Sequence, residues 1–178
     1  MNDLNDSDMD VFVQSISKYF RQSTQEPAQI RAAYLGEESL PMYDFTGAIK
    51  VGGEFLGTIY FSAPNAMLRH LLTIMKENDQ SNDNLLDIVG EIANTLSGNA
   101  RQYFGENLMI SPPTKMSSNI LKLNKLARQR PYVISIKWKH YMSSLIVDVT
   151  KHWLANARLL VTKFLRRTSK VRLHAYMH

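Results

Sequence analysis

The sequence contains no cysteine among its 178 residues. A disulfide framework and a thiolate metal site are therefore both excluded, and the composition is consistent with a reducing compartment. The five histidines are separated along the chain, and none has the spacing of a metal motif such as His-Glu-x-x-His. We expect no metal site and no cofactor of the protein's own.

Long apolar runs are absent as well. No stretch approaches the roughly 18 consecutive apolar residues of a membrane-spanning helix. The first ten residues, MNDLNDSDMD, are acidic and polar where a signal peptide would be basic and then apolar. At 44% hydrophobic residues the chain can still bury a sizeable core. We expect a soluble, cytoplasmic protein without stable membrane insertion.

Acidic residues are nearly missing from the second part of the chain. Residues 1–113 hold 7 Lys+Arg and 15 Asp+Glu, a net charge of −8, whereas residues 114–178 hold 14 Lys+Arg and a single acid, Asp148, a net charge of +13. Such a split can indicate an acidic partner, nucleic acid or an anionic membrane surface. The simpler interpretation is that the two parts of one domain neutralise each other, and we expect no nucleic-acid partner.

Hydrophobic periodicity predicts an α+β domain over residues 1–150, with a mostly antiparallel sheet packed against helices. Ser7 or Asp8 is expected to cap the first helix. The predicted elements are, in chain order, a helix over 8–20, a hairpin within 46–61 that turns at Gly52-Gly53, a helix over 64–76 whose apolar side includes Met75, a helix from 84 to about 103 that ends at Gly105, a short strand before Pro112, and a hairpin that pairs 132–138 with 143–149 across His140-Tyr141.

Residues 151–178 form a basic tail, with seven Lys+Arg and no acid. Trp153, Leu160 and Phe164 share one side of the tail at helical spacing. A basic amphipathic helix of this kind binds membranes or partner grooves, or packs on its own domain or on a dimer mate. Residues 114–130, with five Lys+Arg and no acid, are a second basic segment suited to an acidic partner.

The predicted helix over residues 84–103 contains three poor helix formers, Gly90, Asn94 and Gly98. Glycine costs roughly 1 kcal/mol relative to alanine inside a helix, so their presence needs a reason. The apolar residues recur at three- and four-residue steps and predict one buried stripe. That stripe consists of Leu85, Ile88, Val89, Ile92, Leu96, Ala100 and Tyr103.

A second set of residues on this helix, Asp87, Glu91, Asn94 and Gly98, forms a solvent-facing ridge. At about 100° per residue the four positions fall within roughly 60° of arc. Glu91 and Asn94 are one turn apart and can reach the same external atom, while Gly98 permits close approach by another surface. On the pattern alone, an ordinary exposed face with glycines that relieve helix–sheet packing is the simpler interpretation.

The segment Asp87-Ile-Val-Gly-Glu91-Ile-Ala-Asn94 resembles the signature of the CheC/CheX/FliY family of chemotaxis phosphatases. That signature is Asp or Ser, three residues, Glu, two residues, Asn, and a proline some twenty residues on. The following TLSGNA, the proline-ended strand and the closing hairpin PYVISIKWKHYMSSLIVDV are similar to the family as well. Seventeen residues separate Asn94 from Pro112, a few fewer than the family usually has, so the motif proline corresponds to Pro112 or Pro113.

The sequence of the first helix distinguishes the branches of this family. CheC-like and FliY-like members carry a second copy of the motif there. In this chain the best register is Asp10, Gln14 and Ser17, which lacks both the Glu and the Asn. The chain therefore most resembles CheX, which implies a homodimer with one site on each subunit.

The resemblance implies dephosphorylation of the aspartyl phosphate of a CheY-like response regulator, whose own Mg²⁺ and Lys neutralise the phosphoryl charge. Asn94 would position the attacking water, and Glu91 would pair with the regulator's active-site Lys. Asp87, Gly90 and Gly98 would serve docking, the acid in the first helical turn and the glycines by clearance. The alternative is a non-catalytic binding module for a response regulator or a flagellar switch component.

Overall fold

The computed structural model describes residues 4–36, 40–106, 108–117 and 130–151. Residues 118–129 of the basic segment and residues 152–178 of the basic tail lie outside the described residues. No helix within the described ranges combines the length and the apolar character needed to span a bilayer. The elements are α1 (Asp6–Thr24), β1 (Gln29–Leu35), β2 (Phe45–Gly53), β3 (Phe55–Ala63), α2 (Asn65–Ile74), α3 (Asn82–Phe104), β4 (Leu108–Ile110), β5 (Thr114–Ser117), β6 (Tyr132–Trp138) and β7 (Tyr141–Lys151).

The first helix begins earlier than the sequence predicted, with Asn5 as its N-cap. The Asp8 N–H donates to Asn5 Oδ1 at 3.0 Å, and the Asn5 N–H donates to Asp8 Oδ2 at 2.9 Å. The prediction of Ser7 or Asp8 as the cap was wrong, because Asp8 completes a capping box from the third helical position instead. The helix ends where Gln25 adopts a left-handed conformation with φ 60°.

All strand pairs are antiparallel, and the strand order is β1-β6-β7-β3-β2-β4, with β5 also paired to β2. The predicted α+β class is confirmed, and so is the hairpin of β2 and β3, but it turns about Glu54 and not at Gly52-Gly53, because Gly53 still belongs to β2. The last hairpin turns one residue earlier than predicted, because Trp138 pairs with Tyr141 and Lys139 takes a positive φ of 54°. Strands β1 and β5 were not predicted, since both are largely exposed and show no alternation of burial.

The main core lies between the helices and one face of the sheet. Phe20 of α1 and His70 of α2 both contact Trp138 of β6, with ring centroids 5.9 and 5.1 Å apart. A smaller apolar cluster occupies the other face and consists of Leu40, Ala48, Tyr60, Val133 and Ile146. Met75 was expected on the apolar side of α2 but is 46% exposed, because the helix ends at Ile74.

Helix α3 packs directly on the backbone of β2. A Cβ atom at Gly47 would lie 2.4 Å from the carbonyl oxygen of Val89 and 2.9 Å from Cβ of Ala93. No side chain can occupy that space, so Gly47 lets the helix approach the sheet at this point. The contact lies beneath the middle of α3 and therefore controls which side of the helix faces outward.

Gly47→Ala is expected to lower the free energy of unfolding by about 2–3 kcal/mol, because the new methyl group meets backbone atoms that cannot rotate away. The matched control is Gly52→Ala on the same strand, where the nearest atom is 3.9 Å from the new Cβ. Urea unfolding followed by circular dichroism measures both. Equal stability of the two variants would contradict the packing contact.

Candidate functional site

Helix α3 is fixed at both ends by hydrogen bonds that the local sequence supplies. At its start Oγ of Ser81 accepts the N–H of Asn84 at 3.3 Å, and at its end the N–H of Gly105 donates to the carbonyl of Arg101 at 3.0 Å. The predicted stop at Gly105, which has a positive φ of 84°, is confirmed. The helix begins at Asn82, two residues before the predicted start.

The predicted buried stripe of α3 is confirmed at six of its seven positions, Leu85, Ile88, Val89, Ile92, Leu96 and Ala100. The prediction was wrong at Tyr103, which is 57% exposed. Tyr103 lies in the last turn of the helix, and its ring lies edge-on against Phe104 at a centroid distance of 5.1 Å. Phe104 instead enters the space between the helices, with its ring centroid 6.4 Å from that of Phe12 on α1.

The ridge lies on the opposite side of α3 from this stripe. Asp87, Glu91 and Asn94 are all exposed, and Gly98 is half-buried. No heavy atom of the described residues lies within 4 Å of the position that a Cβ at Gly98 would take. The structure thus brings these four residues together on one accessible surface, with open space beside its C-terminal end.

Gly90 is separated from the other predicted site residues because it is buried. A Cβ at Gly90 would lie 3.1 Å from Cγ and 3.3 Å from Cε of Lys115, and 3.4 Å from Cβ of Pro113. The space that this glycine leaves is therefore filled by residues of the same chain. Pro113, one of the two candidates for the motif proline, lies against the helix at Gly90.

The Lys115 side chain continues across Gly90 and ends at the ridge. Its Nζ donates to Oδ1 of Asp87, forming an ion pair between β5 and α3. The side chains of Lys115 and Asp87 are 37% and 61% exposed. The sequence analysis did not identify Lys115, because the partners are 28 positions apart and no periodic pattern joins them. Gly90, a poor helix former inside α3, is a local sequence feature that coincides with the crossing.

The phenol of Tyr19 on α1 lies within the electrostatic influence of Glu91. Burial raises the pKa of Tyr19 from 10.0 to about 12; a side-chain hydrogen bond with Ser23 lowers the pKa, and the negative charge of Glu91 raises it further. The phenol therefore stays neutral throughout the physiological range.

The residues of α1 that best align with a second copy of the motif differ chemically from the ridge. Asp10 and Gln14 are exposed, and Ser17 is half-buried. Gln14 stands where the motif has its Glu, and Ser17 stands where the motif has its Asn. This face therefore lacks both the carboxylate of the Glu and the carboxamide of the Asn. In the described part of the chain, no group of three or more His, Asp or Glu side chains is placed to hold a metal ion.

Comparison with known families and structures adds independent findings. The family model described as chemotaxis phosphatase CheX matches residues 45–137, which include the whole ridge. No curated protein matches the chain. CheX from Desulfovibrio desulfuricans is 15% identical with a TM-score of 0.68, and the match covers 82% of this chain and 99% of that one.

Two further solved structures match at comparable levels. CheX from Vibrio vulnificus is 13% identical over 80% of this chain and 99% of its own, with a TM-score of 0.67. The CheX–CheY–BeF3–Mg²⁺ complex from Borrelia burgdorferi is 12% identical over 80% of this chain and 97% of the matched chain, also with a TM-score of 0.67. At these identities the structural matches show a shared fold.

Gly98→Ala is expected to raise the free energy of unfolding by about 1 kcal/mol, because alanine is the better helix former and open space receives its methyl group. Urea unfolding with the wild type alongside measures the change. A destabilised variant would show that Gly98 already serves a contact within the protein.

Proposed function

The chain belongs to the CheX family of chemotaxis phosphatases, and from that membership we propose that it dephosphorylates the aspartyl phosphate of a CheY-like response regulator. The observation that carries the proposal is the exposed ridge of α3, where Glu91 and Asn94 project from a helix fixed to the sheet. The Borrelia relative supports the partner class, since it was solved in a complex with CheY and Mg²⁺.

Asn94 is the residue proposed to position the attacking water. Its carboxamide oxygen accepts a hydrogen bond from the water, and its NH₂ donates to an oxygen of the phosphoryl group. The water oxygen then bonds to phosphorus as the bond to the aspartyl oxygen breaks, which releases inorganic phosphate and the free carboxylate. Such a reaction depends on positioning and electrostatics, so a neutral amide suffices without a general base.

Glu91 is proposed to anchor the two proteins. It lies one turn before Asn94, so the two side chains originate about 5–6 Å apart. A carboxylate there can pair with the lysine of the regulator's phosphorylation site, and that pair would set the depth at which Asn94 enters. The regulator supplies its own Mg²⁺, and this chain supplies no metal. We propose the cytoplasm as the compartment, because the proposed partner is a CheY-like response regulator.

Asn94→Ala is expected to reduce the acceleration of aspartyl-phosphate decay by at least about 100-fold, the order of effect seen when one transition-state hydrogen-bonding group is lost. The matched control is Asn82→Ala, which removes an exposed carboxamide from the same helix about 18 Å away along its axis. Decay of ³²P-labelled receiver domain measures both variants, and circular dichroism verifies that they fold. Full activity in Asn94→Ala would refute the mechanism.

The same assay separates the catalytic proposal from the non-catalytic alternative. A phosphatase shortens the phosphate lifetime at substoichiometric protein concentration. A binding module forms a complex with the receiver and leaves the decay rate unchanged. Unchanged decay with a stable complex would therefore reject the enzyme and favour the binding module.

We also propose a homodimer with one ridge on each subunit. Among the described strands β1 pairs with β6 alone, and six of its seven residues are exposed. Tyr34 and Leu35 on this strand are 44% and 37% exposed, large fractions for apolar side chains. An exposed edge strand has unpaired backbone groups that antiparallel pairing with a second copy would satisfy.

Tyr34→Lys is expected to convert the dimer to a monomer, because charges on an edge strand oppose pairing with a second copy. Met109→Lys is the matched control, since Met109 is a 62% exposed apolar residue at the opposite edge of the sheet. Light scattering after size-exclusion chromatography measures the mass of each. A monomeric wild type, or a Met109→Lys variant that dissociates while Tyr34→Lys does not, would overturn this arrangement.

A further inference from the structure

The ridge carries more negative charge than Glu91 alone. Asp83, Asp87 and Glu91 follow one another at four-residue intervals on α3, and all three are exposed. Like charges at this spacing repel each other. Asp83 lies in the first turn, where the helix N-terminus stabilises an acid. Asp87 is further along the helix and has Lys115 as its partner instead.

The contact between Lys115 and Asp87 depends on two glycines. Lys115 pairs in register with Gly47 on β2, the same residue that lies against Val89 of α3. The lysine stem then crosses the helix at Gly90, where a Cβ would come within 3.1 Å of it. Because both glycines lack a side chain, β5 and α3 lie close enough together for the lysine to reach Asp87.

A carboxylate at position 87 would face the same partner as Glu91 and Asn94. Asp87 lies about 6 Å from Glu91 and about 10 Å from Asn94 along the helix axis. These separations are comparable to the Debye length of about 8 Å at physiological ionic strength. An unpaired Asp87 would therefore repel a phosphoryl group positioned at Asn94.

We propose that Lys115 is a positioning residue for regulator docking, which neutralises Asp87 and leaves Glu91 as the charged contact of the ridge. This inference rests on the proposed function and changes the role of Asp87 from a direct docking group to one half of an internal ion pair. The partner that fits such a surface has a phosphorylated carboxylate beside a lysine.

The test is a charge-compensation series in the phosphate-decay assay, with receiver concentration varied to separate KM from kcat. Lys115→Met keeps the apolar stem over Gly90 and removes the charge. For Lys115→Met we expect KM to rise about fivefold at low salt, while kcat stays within about twofold of the wild-type value. The rise in KM should become smaller as salt is added. Adding Asp87→Asn should return KM to near the wild-type value, and Lys115→Arg should retain it.

Lys139→Met is the matched control. Lys139 forms a comparable ion pair with Glu26 at 2.8 Å, in which the two side chains are 27% and 55% exposed, but it lies on the turn between β6 and β7. Its loss should leave KM unchanged. An unchanged KM in Lys115→Met, or a raised KM that Asp87→Asn does not reverse, would overturn the inference, because a merely structural lysine is not rescued by removal of the opposite charge.

The failure of this inference is distinguishable from that of the proposed function. Should the wild type leave the phosphate lifetime unchanged, the same variants are compared by calorimetric Kd for a CheY-like receiver loaded with beryllium fluoride and Mg²⁺. A Kd weakened in Lys115→Met and restored by Asp87→Asn would support the role of Lys115 without any catalysis. Equal Kd values across the series would exclude it.

Discussion

The contact between Val89 of α3 and Gly47 of β2 is the constraint on which the functional surface depends. A carbonyl oxygen lies where a side chain on β2 would otherwise be, so the helix rests on the sheet backbone itself. This contact fixes the rotation of α3 about its axis, because Val89 must face the sheet. Glu91 and Asn94 then face outward, and the core on the other side holds them there.

A rigid helix suits a site whose chemistry takes place within another protein. Catalysis by positioning requires that the amide arrive at a defined depth and angle, and a packed helix meets that requirement better than a loop. The glycines of α3 contribute in two ways. Gly90 admits Lys115 and Pro113 from the same chain, whereas Gly98 leaves open space beside the ridge. One residue type therefore serves internal packing at one position and accessibility at the other.

Much of the fold could be predicted because its main elements have strong periodicity. Helix α3 has a periodic buried stripe, and both hairpins consist of apolar strands joined by glycines or short turns, so local pattern was sufficient. Strands β1 and β5 were missed because both are largely exposed. A strand of that kind forms because it is hydrogen-bonded to a neighbouring strand, and that pairing leaves no alternation of apolar and polar residues in the sequence. The cap at Asn5 was missed because its capping box has Asp8 at the third helical position, where Glu or Gln is usual.

The sequence by itself determined the ridge, since Asp87, Glu91, Asn94 and Gly98 share one helix and helical geometry sets their relation. It also carried the family resemblance, because the motif is contiguous. Only the tertiary structure decided that Gly90 is buried and that Lys115 reaches Asp87. The physical reason is the separation along the sequence of the residues that determine each feature. The ridge follows from the rise and turn of one helix, whereas the ion pair requires β5 to pair with β2 and β2 to pack under α3.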